Sequence, residues 1–120
     1  MKPRNNKDST THDFFIDFPI TKGKLAEALG VSRSTIGEWS RLALYRIPSF
    51  CEAYPKTDKG TVDVTAPLSP YQAWVLVRVG RLINQTASIA RVKQAIPKNP
   101  NYFSLYTYRT ALKNLNKLAA

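Results

Sequence analysis

Apolar residues in the first half of the chain recur at helical spacing in two short bursts split by a glycine. Leu25, Ala26 and Leu29 follow Thr21, a helix-capping residue type, and Gly30 punctuates their end. After Val31, Ser32 or Ser34 can cap a second helix whose inward positions are Ile36, Trp39 and Leu42 or Ala43, with Pro48 bounding it. The pattern then changes. Ile47, Phe50 and Ala53 precede a tip rich in turn formers, YPKTDKG (54–60), and TVDVT (61–65) alternates, placing Val62 and Val64 on one face. Residues 45–65 therefore predict a β-hairpin with Lys56 and Lys59 at its tip.

Ser69-Pro70 is an N-cap followed by proline at the first helical position. The helix it opens carries Tyr71, Trp74, Val75, Arg78 and Leu82 on one face and Leu76, Val79 and Ile83 on another, a sign of central burial. The β-branched run WVLVRV also permits a strand there. A short helix over 87–96 aligns Ile89, Val92 and Ile96, and PKNPN (97–101) reads as a linker. Residues 102–119 form an amphipathic pattern. Leu105, Tyr108, Leu112, Leu115 and Ala119 make an apolar stripe, while Tyr106, Arg109, Lys113 and Lys117 make a basic one. At the other end, residues 1–12 are polar and aperiodic and read as a flexible arm. Phe14, Phe15, Ile16 and Phe18, stopped by Pro19, suit an edge strand or a hydrophobic staple.

These elements make one domain over 13–96 plus a C-terminal helix at 102–119, mainly α with a small β-hairpin (α+β). Composition adds little to that and charge adds much. Hydrophobic residues are 43% and charged residues 22% of 120 positions, an ordinary globular mix. All eight acids and ten of the eighteen bases lie in residues 1–63, so residues 64–120 carry eight bases and no acid, a charge of +8. Such a field attracts polyanions at long range. One histidine, His12, and one cysteine, Cys51, are too few for a metal site or a disulfide. No phosphate-loop, dinucleotide or zinc-protease motif occurs. The expectation is a non-enzyme with no cofactor and no metal. No apolar run approaches the ~20 residues of a membrane span, and the polar N-terminus lacks a signal-peptide core, so a cytoplasmic location is expected.

Residues 22–41, KGKLAEALGVSRSTIGEWSR, carry the function. Two helices crossing steeply around a short turn need a small residue where their backbones approach, here Ala26. They also need a residue tolerant of positive φ in the turn, here Gly30. Leu25, Leu29, Val31, Ile36 and Trp39 fall where the shared core needs apolar groups. This is the pattern of a helix-turn-helix, whose second helix enters the DNA major groove N-terminus first. Its outward residues are Ser32, Arg33, Ser34, Thr35, Gly37, Glu38 and Arg41. Arg33 can pair bidentately with guanine or hold a phosphate. Ser32, Ser34 and Thr35 offer hydroxyls, one of them committed to the cap. Gly37 permits close approach, and Glu38 either accepts from a cytosine amino group or pairs with Arg41. Lys22 and Lys24 are placed for phosphate contact.

LAEALGVSRSTIGEWSRLAL (25–44) resembles the winged helix-turn-helix of MerR-type regulators and the related phage excisionases, on the GVS turn and on Val31, Ser32, Thr35, Ile36, Trp39, Arg41 and Leu44. The resemblance implies a hairpin wing, a homodimer and double-stranded DNA as partner. Gly37 and Glu38 stand where that family often has Arg and Tyr touching DNA, and the wing lacks the family's Arg and Gly-Tyr-Arg signature. Lys56 and Lys59 are then assigned to DNA on charge alone. Leu105, Tyr108, Leu112 and Leu115 are the expected dimerisation residues, and no separate effector domain is expected. The expected function is a homodimeric repressor on an inverted repeat. An excisionase-like DNA-bending protein is the alternative, and an RNA-binding module using Tyr102, Phe103, Tyr106 and Tyr108 is a third reading.

Overall fold

The computed structural model describes residues 12–119, so the polar arm expected over 1–12 lies outside the described residues except for His12. Six α-helices occur in order among them: α1 (Lys22–Leu29), α2 (Arg33–Arg46), α3 (Pro48–Glu52), α4 (Pro70–Thr86), α5 (Ile89–Lys98) and α6 (Leu105–Ala119). A 3-10 turn, Pro100–Phe103, separates the last two.

The fold is built around α4. Its start is fixed by a reciprocal capping box: Ser69 Oγ accepts from the Gln72 N–H while Gln72 Oε1 accepts from the Ser69 N–H. The amide nitrogen of the buried Gln72 side chain then donates to the Phe50 carbonyl at 3.0 Å, tying α3 to α4. Ala73, Trp74, Val75, Leu76, Val77 and Val79 are all fully buried. A helix buried on nearly every side must be covered from several directions, and α2, α3, α5 and α6 all pack against it. The β-branched residues of WVLVRV thus lie in a helix, because the capped start and the apolar covering outweigh their weak strand preference.

No strand forms among the described residues, and the expected β-hairpin wing over 45–65 is absent. Tyr45 and Arg46 complete α2, and Pro48, expected as a boundary, instead opens α3 from its first position. Beyond α3 the chain enters a loop. Thr57 N donates to Thr61 O at 2.7 Å and Asp63 N to Pro55 O at 2.8 Å, around one antiparallel bridge between Lys56 and Val62. A ladder cannot extend from there. Pro55 has no N–H to donate. On the other side, the Asp63 carboxylate captures the N–H and hydroxyl of Thr65 and turns the chain away. The aromatic run at 14–18 is no edge strand either. Phe14, Phe15 and Ile16 lie half-buried on the core, and only Ile20 bridges to Leu68.

Candidate nucleic-acid interface

Local chemistry sets both ends of the α1–α2 corner. Thr21 Oγ1 accepts from the Lys24 N–H to start α1. Gly30, at φ 72 and ψ 28, ends it, with its N–H and that of Val31 returning to the Glu27 and Ala26 carbonyls. This left-handed closure is a glycine's conformation. Ser32 then caps α2 by accepting from the Thr35 N–H at 3.1 Å. Beneath the corner Leu25, Ala26, Leu29, Ile36 and Trp39 are all buried.

Trp39 seats α2 on the central helix. A Cβ built on Gly80 would fall 2.4–2.9 Å from three atoms of the Trp39 six-membered ring, so the ring lies flush on bare backbone. The opposite face of α2 is open. Arg33, Ser34, Glu38, Arg41 and Tyr45 are exposed, and Gly37 opens a gap between them where an added Cβ would meet only Arg41 Nη1, at 4.0 Å.

The expected contact residues divide into free and engaged groups. Arg33 makes no ion pair among the described residues, and its guanidinium lies across the start of α1 beside Gly23. Ser32, Ser34 and Thr35 form one hydroxyl cluster at the helix start, with Ser32 Oγ 3.0 Å from Ser34 Oγ and 2.8 Å from Thr35 Oγ1. Glu38 and Arg41 do not pair with each other. Lys24 meets Glu27 at 3.9 Å in an exposed pair that contributes little. Lys22 is engaged: its ammonium donates to the Val64 carbonyl at 2.6 Å and lies 5.7 Å from the centre of the Tyr54 ring, strapping the 54–68 loop to α1. Lys56 and Lys59 are exposed at the loop tip.

The acid-free half is less free than its count suggests. Arg78 lies 4.3 Å from the centres of the Trp74 and Tyr102 rings and clasps Asp13 with two N–H groups, at 2.9 and 3.2 Å. Arg81 reaches the same carboxylate at 2.9 Å and the Tyr102 hydroxyl at 3.1 Å. Burial pushes the Asp13 carboxyl up, but the hydrogen bonds of Arg78 and Arg81 and the charge of Arg78 prevail and hold it below its ordinary value. Two of the eight bases are thus internal.

The expected dimer stripe needs correction at Tyr108. It is only 8% exposed and its ring contacts those of Phe15, Tyr71 and Trp74, with centroids 6.2, 5.6 and 5.3 Å away, so it belongs to the core of its own chain. Burial, then the nearby Asp17 charge, raises its phenol above the ordinary value. Leu112 is also partly covered by that core. Leu105 and Leu115 remain exposed, and Leu118, which the stripe omitted, is 86% exposed.

Three residues missed from sequence border the far end of α2. Tyr45, Arg46 and Lys93 join Arg41 around a hollow of about 250 Å³ between α2 and α5. The four-residue steps 33, 37, 41 and 45 already marked Tyr45 as the continuation of the outward face. Lys93, by contrast, is brought there only by tertiary packing. Among the described residues no three His, Cys, Asp or Glu side chains gather as metal ligands, and no helix is long and apolar enough to cross a membrane. Comparison of the chain with protein families, curated proteins and solved structures found no match.

Proposed function

We propose that this chain is a sequence-specific double-stranded DNA-binding repressor that acts as a homodimer by occupying an inverted-repeat operator. The observation that carries the reading is the α1–α2 corner. Its inner face is capped and packed through Gly30, Ser32, Ile36 and Trp39, while its outer face offers Arg33, Ser34, Gly37, Glu38 and Arg41 to a groove. The resemblance to MerR-type and excisionase proteins supports the corner alone, since the wing is missing. Exposed Leu115 and Leu118 at the far end of α6 supply the pairing surface in this reading.

The test begins with selection of a bound site from a random duplex pool, followed by fluorescence anisotropy across a salt series. Affinity for the selected site should exceed that for scrambled duplex by about 10³-fold or more. Arg33→Ala should cost about 1–3 kcal/mol on the selected site and much less on scrambled duplex. Equal binding to selected duplex, scrambled duplex and single-stranded RNA would refute the proposal. A sedimentation experiment showing one monomer on a single half-site would remove the dimer.

A further inference from the structure

The helix proposed to enter the groove is longer than the groove. Its 14 residues extend about 21 Å at 1.5 Å per residue, whereas a major groove is about 12 Å wide. With Arg33 to Glu38 seated against base edges, the last turns of α2 arrive at the sugar-phosphate backbone. At that end Arg41 and Arg46 of α2 meet Lys93 of α5 around the 250 Å³ hollow. None of the three cations has an ion pair or hydrogen bond among the described residues. Glu38, on the same wall, is the one carboxylate there and is paired with none of them. Three like charges gathered around one hollow repel one another until an anion enters it. Tyr45, 76% exposed, adds a hydroxyl at the rim.

We infer that this hollow is a phosphate seat, in which Arg41, Arg46 and Lys93 grip the backbone of the same duplex whose groove receives the start of α2. The inference rests on the proposed function and extends it to α5. Phosphate contacts of this kind fix the orientation of a recognition helix without reading sequence. Lys93 is therefore the informative residue, because it is exposed and lies on a different helix. Arg46 also borders a larger groove of about 500 Å³ beside Ile47, Pro97 and Phe103. As a cation in the last turn of α2 it supports that helix as well.

Lys93→Ala, Lys93→Glu and, as a control on α6, Lys113→Ala would be titrated against selected and scrambled duplex over a salt series, with a thermal melt of each variant. Lys93→Glu should weaken both duplexes by about the same factor, near tenfold. Lys93→Ala should make the slope of log K against log salt shallower by about 0.9. Lys113→Ala should change neither. Unchanged affinity and slope for both Lys93 variants, while Arg33→Ala still weakens the selected site, would overturn the phosphate seat and leave the DNA-binding reading standing. Failure of the unaltered chain to bind any duplex would overturn both.

Discussion

Gly80→Ala tests how tightly α2 is held against α4. The added methyl carbon would lie 2.4 Å from Trp39 Cη2, 2.6 Å from Cζ3 and 2.9 Å from Cζ2. Relaxed carbon pairs sit at about 3.5–4.0 Å, so the overlap exceeds about 1 Å at its worst point. The indole is only 4% exposed and cannot swing into solvent. Relief must come from α2 moving off α4. Overpacking of this kind costs about 1–3 kcal/mol, and replacing glycine by alanine inside a helix offsets about 1 kcal/mol. With so deep an overlap, a net loss of about 1–2 kcal/mol is expected, a fall in Tm of about 4–8 °C for a domain of this size. Circular dichroism melts and urea titration would measure it. Trp39→Phe removes the ring atoms that the methyl meets, so the double variant should be more stable than the sum of the two single losses by about 1 kcal/mol. A Gly80→Ala chain as stable as the original, or strict additivity in the double variant, would refute the tight α2–α4 contact.

Asp13 gives a pH prediction. Its folded pKa lies below the ordinary 3.8, so its contribution is present above the unfolded value and disappears as pH falls through the folded one. Asp13→Asn should remove that acid-side component of the melting profile and cost about 2–3 kcal/mol at neutral pH, because Arg78 and Arg81 lose their counter-charge. Ala87 closes α4 at φ 55, a left-handed conformation that disfavours a side chain, so Ala87→Gly should stabilise the chain by about 0.5–1 kcal/mol and raise the urea midpoint accordingly; a lower midpoint would refute this. Tyr108→Ala should destabilise the chain by about 3 kcal/mol, equally at every protein concentration, whereas a dimer contact would make the loss concentration-dependent.

The parts of this fold that were legible in sequence are those decided within a few residues. Thr21, Gly30, Ser32 and Ser69-Pro70 each fix a helix end by bonding to their own neighbours, and the helix boundaries at those points match expectation. The hairpin does not form although TVDVT alternates like a strand, because pairing is decided by the partner. Pro55 has no N–H to give, and Asp63 bends the chain instead. Tyr108 leaves the expected stripe for a related reason. An amphipathic stripe shows that a face is covered without naming what covers it, and here the cover is Phe15, Tyr71 and Trp74 of the same chain. In the candidate site, the Arg33-to-Arg41 face follows from helical spacing. Lys93 and the engagement of Lys22 with Val64 do not, since each depends on segments remote in sequence.

The clasp on Asp13 also bears on the order in which the chain can mature as it is made. Asp13 is separated from Arg78 by 65 positions and from Arg81 by 68, and the Tyr102 carbonyl that steadies Arg78 comes later still. At about 5–20 residues per second, synthesis leaves that carboxylate without its partners for on the order of ten seconds. The caps at Thr21, Gly30 and Ser32 need only their own neighbours, whereas Trp39 is seated only once Gly80 of α4 has been made. A nascent chain can therefore form those caps well before its N-terminal segment docks, and the Asp13 clasp becomes a late latch that closes only when the basic half has emerged.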